Sequence, residues 1–323
     1  MGKRLDYIDR AKGFLIILVV IGHIWQSGPV FDLIYSFHMP AFFVISGLLL
    51  CETRAYEKKF GKYFLSRLFS FGIPFIWIEV LGCLTDIVRR GVTLNIKGYI
   101  MNTLILDFND PNLWFLACLF LIELLYYWLV KWLKKKPMIF VAAAILFAAY
   151  FVIPTANPYI GLIRQAMYYS IFFAVGFCGS DMLKKFNLPA CIVSALVVVA
   201  VGLLLNRDNA RSISLTAIAF LVSGICGAYA VLQLGKVRLP GIMDAALTKA
   251  GMNTIIIYGT HHFYYSVIGA LLGITDYSTT PIIPGLIILI GVALLEIPTI
   301  ILINRWAPWL AGKRKQRSAV KEA

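Results

Sequence analysis

Apolar residues in this chain fall in long runs separated by short polar intervals, from Gly13 to Ile303. They do not form the narrow stripes of water-facing helices or the alternation of half-buried strands. A helix that crosses the hydrocarbon of a bilayer needs about 20 such residues. The runs predict about ten transmembrane helices, over 10–29, 37–52, 64–88, 113–133, 138–154, 164–183, 190–206, 213–235, 251–273 and 284–304. The fold expected is therefore an all-α polytopic membrane protein. No long linker, low-complexity tract or internal repeat interrupts the pattern, so residues 1–323 read as one domain, with a helical core at about 10–304 and a basic tail at 305–323. The longest polar interval is 89–112, where the clusters 95–97 and 107–112 read as loop around a short amphipathic helix at 98–106.

Composition agrees with this setting. Sixty per cent of the residues are apolar and only 14% are charged, against about 25% charged in a soluble domain. Charge placement sharpens the topology, because Lys and Arg concentrate in loops that stay cytoplasmic. With the N-terminus inside, 24 of the 30 basic residues fall on the inner side and 6 on the outer, the latter being Arg89, Arg90, Lys97, Arg164, Arg207 and Arg211. A missed or invented helix would scramble that division, so both termini are expected to be cytoplasmic. The net charge of +14 then belongs to one face of a cell (plasma) membrane protein and calls for no nucleic-acid partner. No small-x-small cleavage pattern follows the first run, which is read as retained. The six cysteines lie in or beside apolar runs without C-x-x-C spacing, which points to packing and not to metal or disulfides.

The chemistry begins in the first run. Eleven residues separate Lys12 from His23, and eleven helical steps return to within about 20° of the starting azimuth, about 16 Å further along. Cation and imidazole share one face. An ionisable group at that depth is expensive unless it faces the bundle interior, which makes His23 a functional candidate. Imidazole, with an ordinary pKa of about 6.5, suits proton transfer to and from a reacting group. The plainer reading of Lys12 and Arg10 is anchoring by snorkelling side chains. Asp9 stands three residues before Lys12, either as its ion-pair partner or as a helix cap. His38 enters the second run beside Pro40, in a role either functional or structural. In the ninth run Tyr258 and His261 share a face, with His262 a near rival of His261. Glu79, Glu123 and Glu296 are the carboxylates within apolar runs, and any one of them could orient the imidazole of His23. Nine residues separate Trp114 from Glu123, about 180° apart, which predicts that they do not line one face.

Four segments in order carry a family resemblance. Asp9-x-x-Lys12 leads after ten residues to His23, and Phe37-His38-Met39-Pro40-Ala41-Phe42-Phe43 continues to Ser46-Gly47. Further on come Leu113-Trp114-Phe115-Leu116 and the stretch from Lys249 through Gly251, Ile257 and Tyr258 to His261. Together they resemble the acyltransferase-3 family of integral membrane acyltransferases, most nearly its fucose 4-O-acetylase-like branch. Arg67 matches one member of a two-arginine pattern of that family, while Ser70 stands where the second arginine would be, leaving Lys58, Lys59 or Lys62 to supply that charge. The resemblance implies acyl transfer from cytoplasmic acyl-CoA, usually acetyl-CoA, to a hydroxyl of a carbohydrate or cell-envelope glycan, with no metal. Lys12, Arg10 and Arg67 would meet the donor and His23 would be catalytic. Asp9, His38, Trp114, Tyr258 and His261 would support the site or the acceptor.

Two mechanisms stay open at this level: direct transfer with His23 as general base, or an acyl-histidine relay. The competing function is a small-solute transporter or flippase, since membrane histidines also build proton relays. Against it, no paired half-helices recur in two halves of the chain.

Overall fold

The computed structural model describes residues 5–90, 96–104, 106, 112–155, 157–204, 213–274 and 276–313. Arg207, Arg211, the 107–111 cluster and the basic tail beyond Lys313 lie outside the described residues. Every regular element among the described residues is a helix, as an all-α polytopic membrane protein requires.

The first run forms α1 (Asp6–Ile24) and ends earlier than its apolar stretch. Gly28 takes a positive φ of 85°, and Pro29 opens a separate short helix, α2 (Pro29–Tyr35). The second run is α3 (His38–Thr53). The third is not one helix: α4 (Phe60–Arg67) passes through a π-helical turn at Leu68–Gly72 into α5 (Ile73–Arg90). Pro74 has no N–H to give the carbonyl of Ser70 and its ring crowds that group, which the wider turn accommodates. The expected amphipathic helix is α6 (Ile96–Leu104). Then follow α7 (Trp114–Leu133), α8 (Lys136–Tyr150), α9 (Pro158–Cys178), α10 (Ser180–Lys184), α11 (Leu188–Leu204) and α12 (Ile213–Lys236). The chain closes with α13 (Gly241–Met252), α14 (Thr254–Leu271) and α15 (Ile282–Trp306). The periodicity reading took residues 236–250 as a loop, whereas α13 is a helix packed closely on α1.

Among the described residues, six stretches are long and apolar enough to cross a membrane by themselves: Pro29–Thr53, Phe60–Ile87, Trp114–Leu133, Pro158–Cys178, Thr216–Lys236 and Ile282–Trp306. Neither α1 nor α14 is among them, because these two carry the ionisable and hydroxyl side chains and are sheltered by their neighbours. Helices run alternately, so one end of the bundle collects the basic segments. There Lys184 Nζ meets Glu52 at 2.5 Å, Lys136 meets Asp181 at 3.4 Å, and Lys313 Nζ donates to Asn253 at 2.8 Å. At the opposite end the loop before α15 is fastened to the end of α1, with the Gln26 N–H donating to the Tyr277 carbonyl at 3.0 Å and Ser27 Oγ to that of Ser278 at 2.5 Å.

Two glycine crossings set the interior. A Cβ on Gly13 would strike the Leu247 carbonyl and one on Gly251 the carbonyl of Asp9, so α1 and α13 meet backbone to backbone. Gly47 and Gly176 do the same for α3 and α9, against the carbonyls of Phe173 and Val44. Small residues at such crossings are what allow close helix packing in lipid.

Candidate active site

A cavity of about 390 Å³ opens between α1, α3, α7 and α14. At the basic end its wall holds Lys12, Thr53, Arg67 and Thr254, and at the far end Tyr35, His38, Asn112 and Trp114, with His23 in the last turn of α1 beside Tyr35. The shared face of Lys12 and His23 expected from helical phase is therefore the face that lines the cavity. Between these polar groups the wall is apolar, with Ile16 and Val19 on α1 and Leu49 and Leu119 across from them.

His23 is half-buried and ringed by aromatic side chains. The His261 ring lies 5.2 Å away between centroids, the Tyr265 ring is nearly parallel to His23 at 6.2 Å, and the Tyr35 ring presents an edge at 6.2 Å. His261 is fully enclosed, at 0% exposure, and its Nδ1 lies 2.9 Å from the Ile257 carbonyl. His38 repeats that arrangement, Nδ1 to the Ile34 carbonyl at 2.8 Å, and also lines the cavity. A carbonyl only accepts, so in both rings Nδ1 carries the proton and Nε2 presents a lone pair. His262 is buried against Tyr265, 5.1 Å between centroids, and does not line the cavity. Of the two adjacent histidines, His261 is the one whose ring contacts His23.

The rim is held by ion pairs. Lys12 Nζ lies 2.9 Å from Asp9 Oδ1, which realises the ion-pair reading of Asp9. The capping reading fails, because Leu5 occupies the cap position of α1. Arg67 leans over the Tyr63 ring at 5.3 Å, and its Nη1 lies 3.4 Å from Glu123 Oε1. Tyr63 donates to the other oxygen of Glu123 at 2.5 Å. The Nε of Arg67 is buried with no hydrogen-bond partner among the described residues.

Three expectations need correction. Arg10 does not reach the cavity: its Nε donates to the Gly235 carbonyl at 2.7 Å and its Nη1 pairs with Asp244 at 3.4 Å, tying α1 to α12 and α13. Two residues from Lys12, it points about 200° away around the helix. Lys58 and Lys62 line a separate surface groove with Leu65 and Ser66, and so do not stand in at the cavity for the missing arginine. Trp114 and Glu123 both line the cavity. Phe115, Leu119 and Glu123 form its stripe on α7, and the indole, in the first turn and packed on Tyr169 at 5.4 Å, reaches round to the same space.

Tyr258 lines the cavity as expected, and its hydroxyl donates to the Asn112 carbonyl. Sequence reasoning missed Tyr265, Tyr35 and Tyr63. The first two carried a usable signal, Tyr265 standing one helical turn from His261 on α14 and Tyr35 three residues before His38 across the break between α2 and α3. Tyr63 had none, because its partner Glu123 lies on a distant helix. No group of His, Cys, Asp and Glu side chains suited to a metal ion occurs among the described residues, and all six cysteines are free.

Comparison with known proteins follows the same line. The nodulation protein NolL of Sinorhizobium fredii (strain NBRC 101917 / NGR234) is 46% identical over 56 residues, 14% of this chain and 15% of that protein, so the chain matches only a small part of that relative. No solved structure matches. The sequence profile of the acyltransferase domain of the acyltransferase-3 family matches residues 5–301, which include every helix that lines the cavity. The chain belongs to the acyltransferase-3 family.

Proposed function

We propose that the cavity carries out O-acyl transfer, from acyl-CoA entering at the basic end to a hydroxyl of a carbohydrate or cell-envelope glycan held at the far end. Acetyl-CoA is the donor we favour, in keeping with the fucose 4-O-acetylase-like branch of the family, and the plasma membrane is the setting, with both termini cytoplasmic. The observation that carries the reading is that Lys12, Arg67 and His23 line one continuous cavity.

The residues fit such a donor. CoA brings phosphates at its head and a thin arm leading to the thioester. Lys12 and Arg67 would hold the phosphates, and the orphaned Nε of Arg67 is a buried donor suited to an anion. The apolar stretch between them and His23 suits an uncharged arm. His23 takes the proton of the acceptor hydroxyl, whose oxygen then forms the ester as the carbon–sulfur bond breaks. The proton passes from His23 to the departing thiolate, so the site ends as it began. One space for both substrates favours this direct route over an acyl-histidine relay. Trp114 suits stacking against a sugar face, with Asn112, Tyr258 and His38 nearby for its hydroxyls.

His23→Ala is expected to abolish thiol release from acetyl-CoA by purified protein in detergent, with expression and membrane insertion intact. Labelled acetyl still reaching an acceptor in that variant would overturn the role given to His23.

A further inference from the structure

A histidine base needs one ring nitrogen bare and the other engaged, so that the bare one faces the substrate. In soluble hydrolases a carboxylate does the engaging. Here each of the three intramembrane carboxylates has a hydroxyl partner other than His23, although the second oxygen of Glu296 is buried with no hydrogen-bond partner among the described residues. Glu79 accepts from Thr103 at 2.5 Å, Glu123 from Tyr63 at 2.5 Å beside Arg67, and Glu296 from Thr260 at 2.6 Å. Beside His23 stand rings, and the imidazole whose ring contacts it is His261, with a lone pair at Nε2.

We propose that His261 is a positioning residue that fixes the tautomer and aim of His23, accepting its N–H at Nε2 so that the other nitrogen of His23 faces the cavity. The proposal rests on His23 being the base. Its geometry is already described: ring centroids 5.2 Å apart, a tilt of 46°, and a His261 Nδ1 committed to the Ile257 carbonyl. The two rings are not hydrogen-bonded in this structure, and at a spacing of about 5 Å between centroids a rotation that turns the two nitrogens toward each other closes an N–H···N bond of ordinary length. At 0% exposure His261 cannot meet a substrate, so it acts only through its neighbours. Tyr265 completes the arrangement, since its ring lies within 7° of parallel to His23 and limits rotation of the imidazole. A neutral imidazole serves better than a carboxylate at this depth, because it accepts a hydrogen bond without burying a charge. When His23 takes the acceptor's proton, it becomes an imidazolium that keeps its second N–H on His261. When that proton leaves for the thiolate, both rings return to their starting tautomers.

The chain has only four histidines, so ¹⁵N-histidine NMR of the full protein in detergent resolves them, with assignment by single substitution. His23 is expected as one tautomer in the wild type and as a mixture in His261→Phe. In His261→Gln the amide oxygen stands near the former Nε2 position, and a single tautomer is expected to return. In thiol release from acetyl-CoA, His261→Phe is expected to lower kcat by about 100-fold or more with KM little changed, as for loss of an orienting group, and His261→Gln to recover most of that loss. A His23 tautomer unaffected by His261→Phe, or a glutamine variant no better than phenylalanine, would overturn the proposal. If the phenylalanine variant does not fold, a mixed His23 tautomer in the wild type overturns it equally. His23→Ala retaining activity would instead sink the role of His23 as base and leave the NMR result standing.

Discussion

Lys12 and Arg10 are two residues apart and do opposite jobs. Lys12 is held on the cavity wall by Asp9, whereas Arg10 is spent on Gly235 and Asp244. Lys12→Ala is expected to raise KM for acetyl-CoA about tenfold, the worth of one charge-assisted contact, and to leave kcat within a few-fold. Arg10→Ala is expected to leave KM alone and lower the unfolding temperature in detergent, because it strips a partner from a buried carbonyl and a carboxylate. A KM effect in the second variant equal to that in the first would restore Arg10 to the donor site. The phase of a rigid helix made the Lys12–His23 face legible from sequence, and the same phase would have excluded Arg10. The contact between His23 and His261 was not legible, since it depends on how two helices far apart in the chain pack. The pairing of Trp114 with Glu123 was misjudged because azimuth gives the direction of a Cα–Cβ bond, and an indole in a terminal turn extends well beyond it.

Helices α1 and α13 touch where glycine faces backbone, and that crossing fixes the height and rotation of Lys12. Gly251→Leu would drive a side chain into the Asp9 carbonyl. Overpacking of this kind costs about 1–3 kcal/mol or more, and the expected result is a clear drop in thermal stability with loss of donor binding; an unchanged melting temperature would contradict the crossing. At the far end, Asp276 caps the turn Tyr277–Thr279, accepting from the hydroxyl of Ser278 at 2.7 Å and from its N–H at 2.8 Å. Those two bonds hold the Asp276 carboxyl below its ordinary pKa. A depressed carboxylate stabilises at pH above its unfolded value, and the stabilisation is lost as pH falls through the folded value. The protection of residues 276–280 against hydrogen exchange, corrected for the intrinsic pH dependence of amide exchange, is therefore expected to be greatest at neutral pH and to fall in acid. Asp276→Asn is expected to remove that change in protection. Element positions were largely readable from apolar runs. The breaks at Gly28 and before Pro74 were signalled by those residues themselves, whereas α13 was hidden because it is too short and too polar to look like a membrane helix.

At the scale of the whole molecule, the charge division in the sequence supports the proposal of an even number of crossings with both termini cytoplasmic. In a cysteine-free background, Ser27→Cys is expected to react with an impermeant maleimide on intact cells and Lys185→Cys only after permeabilisation; reaction of both from the same side would break the proposed even number of crossings. The large-scale arrangement was legible because hydrocarbon imposes it on every segment alike, while the shape of the cavity arose from packing among helices that composition does not order. The distribution of polarity also has a consequence for assembly. The two helices that bring His23 and His261 together are not among those apolar enough to cross alone, so neither is at home in lipid until the others enclose it. Biogenesis and competence are thereby one event: a chain whose scaffold has not closed holds no partial site to misfire, and quality control that recognises exposed polar helices would recognise inactive protein by the same mark.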